Sequence, residues 1–155
     1  MTTAREIIDK LNLIPHTEGG HYREIYKSSN LASGDYKGKS VVSHIYYLLE
    51  KNELSIFHRI PQDEIWQYAG GGELLIHVIS PQGEYYKMNV SSPYSAIQIV
   101  PGGSWFAEEV IGGEWMLSGC IVAPAFDFDL FEIADRQQLI AEYPQYRDII
   151  TRFTK

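Results

Sequence analysis

From residue 20 to residue 133 the chain is a succession of short runs rich in β-branched and aromatic residues, each closed by a turn signal. This punctuation constrains the fold more than any other feature. The runs are His21–Lys27, Val41–Leu49, Leu54–Ile60, Glu64–Tyr68, Glu73–Ile79, Glu84–Val90, Ala96–Val100, Ser104–Glu109, Glu114–Val122 and Phe128–Ile133. Between them stand Lys51-Asn52, Pro61-Gln62-Asp63, Gly70-Gly71-Gly72, Pro81-Gln82-Gly83, Pro101-Gly102-Gly103 and Gly112-Gly113. Many short strands at near-regular spacing predict an antiparallel sandwich or barrel. Helices are expected at both ends. Thr3-Ala4-Arg5-Glu6 fits a capping box ahead of Ile7, Ile8 and Leu11. Asp135 can cap Arg136–Tyr143, and Tyr146, Ile149, Ile150 and Phe153 form a helical stripe expected to pack on the barrel. Ser28–Ser40, rich in Ser, Gly and charge, reads as a flexible insert.

The 155 residues suit a single domain over 1–155. Lys+Arg is 13 against Asp+Glu 20, a net charge of −7, which argues against binding the phosphate backbone of nucleic acids. The apolar runs fall far short of the ~20 residues of a membrane span. The first residues carry no apolar signal-peptide core. A soluble, cytoplasmic protein is expected. The single cysteine, Cys120, lies in an apolar run and reads as core.

Chemistry concentrates in Ser55–Tyr68. Strand alternation puts Leu54, Ile56, His58 and Ile60 on one face, so a histidine points inward from an apolar row. After the Pro61–Asp63 turn, Glu64, Trp66 and Tyr68 share a face. If the two strands pair, His58 and Glu64 approach each other, as an acid/base pair or as a structural hydrogen bond. Trp66, Trp105 and Tyr46 offer flat walls for a ligand, and Gln98 an uncharged hydrogen-bonding group. Of the other histidines, His16 and His21 are expected in solvent beside a glycine turn, and Asp127, Asp129 and Glu132 on a solvated face. No Gly-x-Ser-x-Gly elbow or HExxH helix is present, which removes those hydrolase classes.

The spacing resembles the first cupin motif, G-x5-H-x-H-x3–4-E-x6-G, with His58 at the first histidine, Glu64 at the glutamate and Gly71 at the last glycine. Pro101 and Gly103 match the second motif. More closely the chain is similar to the cupin subfamily DUF985, or Cupin_5. The matching stretches are Pro15–Gly20, Ile45–Leu49, Phe57–Arg59, Asp63–Trp66, Val100–Ala107 and Val122–Phe128. The resemblance implies a mainly β fold, a jelly-roll barrel with an N-terminal helix and C-terminal helices. It also implies a homodimer and a small-molecule pocket in the barrel mouth.

Cupin metal sites use three histidines and a glutamate. Here Ile60 and Phe106 occupy two of the histidine positions, so no resident metal is expected, with an irregular ligand set completed by His44 or His77 as the exception. Cupins that work without metal include the sugar-nucleotide 3,5-epimerases, whose nucleotide-holding segment Gly19–Tyr26 loosely resembles. Gly19 stands where their first arginine would be, leaving Arg23 and Arg59 as substitutes. The expectation is a metal-independent isomerase or epimerase acting on a carbohydrate-like or nucleotide-sugar substrate. His58 would be the base, Glu64 its orienting partner, and Tyr46 or Tyr68 the acid. A non-catalytic binding or sensing cupin and a metal-dependent cupin enzyme are the alternatives.

Overall fold

The computed structural model describes residues 1–155. Helix α1 (Ala4–Leu11) begins with the expected capping box: Glu6 N–H donates to Thr3 Oγ1, and Thr3 N–H donates to the Glu6 carboxylate. Asn12 closes it in the left-handed conformation, with φ 53°. Nine strands follow: β1 (Ile14–Pro15), β2 (His21–Lys27), β3 (Ser43–Glu50), β4 (Leu54–Arg59), β5 (Asp63–Ile79), β6 (Tyr85–Val90), β7 (Ile97–Val100), β8 (Trp105–Ala123) and β9 (Glu132–Ile133). Helices α2 (Arg136–Glu142) and α3 (Arg147–Arg152) end the chain. No helix is long and apolar enough to cross a membrane.

The strands form one curled antiparallel sheet in the order β1-β2-β3-β8-β4-β9, with β5 joining β8 to β6 and β7. Two pairs of expected strands are fused. Glu64–Tyr68 and Glu73–Ile79 lie in the single strand β5, and Ser104–Glu109 and Glu114–Val122 in β8. The glycines between them bend the strands instead of ending them. The two bends are stacked: a Cβ on Gly72 would lie 1.7 Å from the Gly112 carbonyl oxygen, so only glycine lets the backbones approach that closely. Much of the last expected strand is a tight 3-10 turn (Phe128–Leu130), leaving only β9. Ser28–Ser40 is a closed loop, tied by a Leu31–Ser40 bridge and a Lys39–Asp127 ion pair.

Three apolar clusters fix these elements. The barrel interior holds Tyr47, Leu49, Trp66, Leu74, Phe106 and Met116, among others. A second cluster lies outside the barrel wall, where Phe57, Ile79, Trp105 and Ala107 meet Leu139, Ile150 and Phe153 of the C-terminal segment. A third seats α1 against Leu48 and Leu117. The C-terminal stripe therefore packs on the barrel as its spacing predicts. A polar clasp reinforces it: His77 bonds Glu109 (2.9 Å) and Tyr85 (2.6 Å), and Arg152 of α3 pairs with the same Glu109.

Phe153 is fully buried against Phe57 and His77. Phe153→Ala is expected to cost about 3–5 kcal/mol in urea unfolding, as a large side chain removed from a close-packed site. Tyr94→Ala, at an exposed position, is expected to stay within about 0.5 kcal/mol of the parent.

Candidate functional site

The tight turn at Pro15–Gly20 builds the site. Gly19 (φ 114°) and Gly20 (φ 73°) pass so close to β4 and β3 that a Cβ would meet the Leu54 carbonyl at 2.2 Å or the Leu48 carbonyl at 2.7 Å. Tyr47 clamps the turn by donating its hydroxyl to the Gly19 carbonyl (2.7 Å), and Ile56 N–H donates to the Glu18 carbonyl (2.9 Å). The Glu18 carboxylate is thereby delivered onto His58 Nε2 at 2.9 Å, with both side chains nearly excluded from solvent.

His58 is held at both ring nitrogens. Nδ1 lies 2.7 Å from the Ile56 carbonyl and Nε2 faces Glu18. A carbonyl and a carboxylate only accept, so both nitrogens carry protons and the ring is an imidazolium. Burial opposes that charge, but Glu18, with Glu108 beyond it, overcomes burial and raises the His58 pKa to about 10. The same pairing holds Glu18 below the usual carboxylate range in spite of burial. His16 accepts from Glu18 N–H at Nδ1 (3.2 Å), and burial holds its pKa down.

Two further glutamates face the opposite constraint. Glu64 is buried, and burial together with the Glu18 charge pushes its pKa to about 8. Glu108 is wholly buried with no partner for either carboxylate oxygen, and burial drives it well above the usual range. The resting floor is an ion pair, Glu18–His58, beside two glutamates whose ionisation burial opposes.

Above this floor opens a cavity of about 710 Å³, within the size range of small-molecule sites. Its lining includes the buried Glu18, His58, Glu64, Trp66, Phe106 and Cys120, the aromatic Phe126, Phe128, Phe131 and Tyr22, and, where it opens to solvent, Lys27 and the half-exposed Phe128, beside the Lys39–Asp127 pair.

Of the side chains expected at a pocket, His58, Glu64 and Trp66 are brought together here. The partner of His58 is Glu18, where the sequence pointed to Glu64. The other expected ligand residues are elsewhere. Phe106 faces the cavity, so its neighbour Trp105 lies on the outer face, with the Arg59 guanidinium 4.2 Å from its ring. Arg59 itself pairs with Glu132 (2.7 Å). Tyr46 alternates away from Tyr47 and packs towards α1. Arg23 bonds the Leu11 carbonyl, Tyr68 the Gly71 carbonyl and Gln98 the Asn89 carbonyl, each at 2.8 Å. His16 is buried, not solvated, and His21 is half-buried with an unpartnered Nδ1. Asp127 is tied to Lys39, while Asp129 is exposed as expected. Glu18, Tyr47 and Glu108 were missed. The one sequence signal for Glu18 is its place before two glycines.

The metal-ligand positions of the cupin motif do not suit a metal: Ile60 and Phe106 offer no donor atom. His77 belongs to the outer clasp. A different group, Glu18, His58 and Glu108, has one donor atom each, all within 4.8 Å of one another.

Residues 5–134 match the Cupin_5 family, described as Cupin superfamily (DUF985). Protein SO0799 from Shewanella oneidensis is 34% identical, with a TM-score of 0.91 over 100% of this chain and 99% of that one. A hypothetical protein from Leishmania major is 32% identical, with a TM-score of 0.92 over 99% of each chain. A cupin 2 conserved barrel domain protein from Rhodopseudomonas palustris, 13% identical with a TM-score of 0.61 over 92% of this chain and 87% of that one, shares the fold. Among curated proteins none matches.

Stability should report this buried floor. Folding raises the pKa of Glu64 from 4.5 to about 8 and that of His58 from 6.5 to about 10, so in those windows the folded chain holds protons the unfolded chain has lost. Stability contributed by these protons is present at low pH and is lost as pH rises through the folded values. Thermal unfolding followed from about pH 5 to about pH 10 is expected to shift to lower temperature, and Glu64→Gln to flatten the part below about pH 8.

Proposed function

The chain belongs to the Cupin_5 family, and from that premise we propose that it binds a small carbonyl compound in the barrel cavity and moves a proton at the carbon beside the carbonyl. An isomerase or epimerase works in this way. The supporting observation is a cavity floor on which two titratable groups are pushed apart in role. His58 is a stable imidazolium, and Glu64 is a carboxyl whose pKa of about 8 lies near neutrality. The sequence suggests His58 as base, Glu64 as its orienting partner and a tyrosine as acid; in this reading Glu64 takes the base's role and His58 the acid's. Ionised Glu64 accepts the proton from carbon, and the Nε2–H of the His58 imidazolium, which the resting structure directs to Glu18, is shared with the carbonyl oxygen and passes to it, giving an enol. Return of a proton to the other face or to the adjacent carbon gives the epimer or isomer, and both groups recover their starting states. Glu18 is the positioning residue that keeps His58 charged. The chemistry asks only for a carbonyl with an acidic C–H beside it, which a keto sugar and a simple ketone both offer. A sugar nucleotide fits less well, because no arginine lines the cavity to meet its phosphates.

The test is exchange of C–H protons with solvent deuterium, followed by proton NMR on a panel of small ketones and keto sugars. Exchange should rise with pH through about 8 as Glu64 ionises and fall near 10 as His58 loses its proton. His58→Gln and Glu64→Gln should each slow it by about 100-fold or more. Binding of panel members with no exchange on any would identify a non-catalytic binding cupin instead.

A second reading has one observation behind it, the Glu18, His58 and Glu108 donor group. A divalent cation held there would replace the Nε2 proton of His58 and give Glu108 its missing partner. Elemental analysis of untreated protein decides. About one divalent metal per chain, lost in Glu108→Gln, would replace the proton-transfer reading; none per chain is the expected result.

A further inference from the structure

We propose that the substrate carries an aromatic or flat apolar body, and that Phe126, Phe128 and Phe131 select for it. The inference rests on the proton-transfer reading and adds the substrate class to it. The three phenyl rings come from one short segment immediately after β8. Their centroids lie 4.8 Å (Phe126–Phe128), 5.8 Å (Phe126–Phe131) and 5.9 Å (Phe128–Phe131) apart, mostly edge to face, so they form a continuous wall. Phe128 leaves 50% of its surface exposed at the cavity mouth, so burial in the core does not explain its presence there. The segment is built to hold it: the Asp127 carboxylate accepts from Asp129 N–H (2.8 Å) and pairs with Lys39 across the mouth.

The wall runs from the mouth to the reacting groups. Phe131 lies 5.6 Å from the His58 ring, and Phe128 and Phe131 lie 5.9 and 5.7 Å from His16. The same cavity is lined by the apolar side chains of Ile45, Ile60, Phe106, Val122 and Ala125. Besides the charged residues, Tyr47, Ser43 and His16 line the cavity, but each already has a partner: the Tyr47 hydroxyl donates to the Gly19 carbonyl, and Ser43 Oγ and His16 Nδ1 accept from the Phe126 and Glu18 N–H groups. A polyhydroxylated ring laid against the phenyl wall would leave the hydroxyls that face it without partners, at a cost for each. An aryl ring there loses nothing and gains the apolar contact. This polarity profile favours an aryl-substituted ketone, carbonyl down, over a keto sugar.

Three probes separate the classes: 4-phenyl-2-butanone, 2-butanone and dihydroxyacetone. Each is titrated by ligand-observed NMR and assayed for solvent-deuterium exchange with the full chain. The aryl ketone is expected to show a KM at least about 10-fold below that of 2-butanone. Phe128→Ala should raise KM for the aryl ketone about 10-fold more than for 2-butanone, with kcat on the aryl ketone retained. Phe128→Trp, which restores a flat face, should recover the preference. Phe128 is half exposed, so these variants leave the core intact. Binding of 4-phenyl-2-butanone without exchange supports the ligand class while ending the proton-transfer reading. Exchange confined to dihydroxyacetone, or an equal effect of Phe128→Ala on all three probes, overturns the inference and leaves proton transfer standing. No binding of any probe at millimolar concentration overturns it as well.

Discussion

Strand β8 is the member on which the rest of the barrel depends, because it pairs with β3, β4 and β5 at once. A strand bonded on both edges leaves no choice about which of its side chains face inward. Its first half sends Phe106 and Glu108 to the interior and leaves Trp105 and Ala107 to the C-terminal segment. Its second half sends Cys120 and Val122 to the cavity. The glycine bends in β5 and β8 let one long pairing curl without breaking. The cavity is the space that this curl encloses.

Within that frame the floor is an electrostatic conflict resolved by protons. Three glutamates and one imidazolium share a region with little access to water. Glu18 lies directly against the positive charge, so it keeps its own charge, while burial opposes the ionisation of Glu64 and Glu108. A group kept out of its ordinary state by burial responds to a substrate that changes its surroundings, and for that reason such groups mark functional sites. Ile60 and Phe106 bring no donor atom to the floor, while its carboxylates enter from the turn before β2 and from β8.

How far the sequence reached depended on the range of each interaction. His58 and Glu64 were legible because both sit in one alternating segment beside a turn. Glu18 was not, since its partner is forty residues away and its only local mark is the glycine pair that follows it. Tyr46 and Tyr47 are adjacent and chemically alike, so inward orientation could not be assigned to one of them before the register of β3 was known. Trp105 and Arg59 looked like ligand residues until pairing placed them on the outer face under the C-terminal segment.

The sequence by itself determined the antiparallel β architecture, the capped helix at each end and an inward-pointing His58. All three follow from period, propensity and capping, which act over a few residues. The tertiary structure alone decided that the glycine runs bend strands and do not end them, that Glu18 is the partner of His58, and that the phenylalanines after β8 stand as a wall over both. Those outcomes depend on backbone approach and on charge brought together from distant parts of the chain, and neither is encoded in any local pattern.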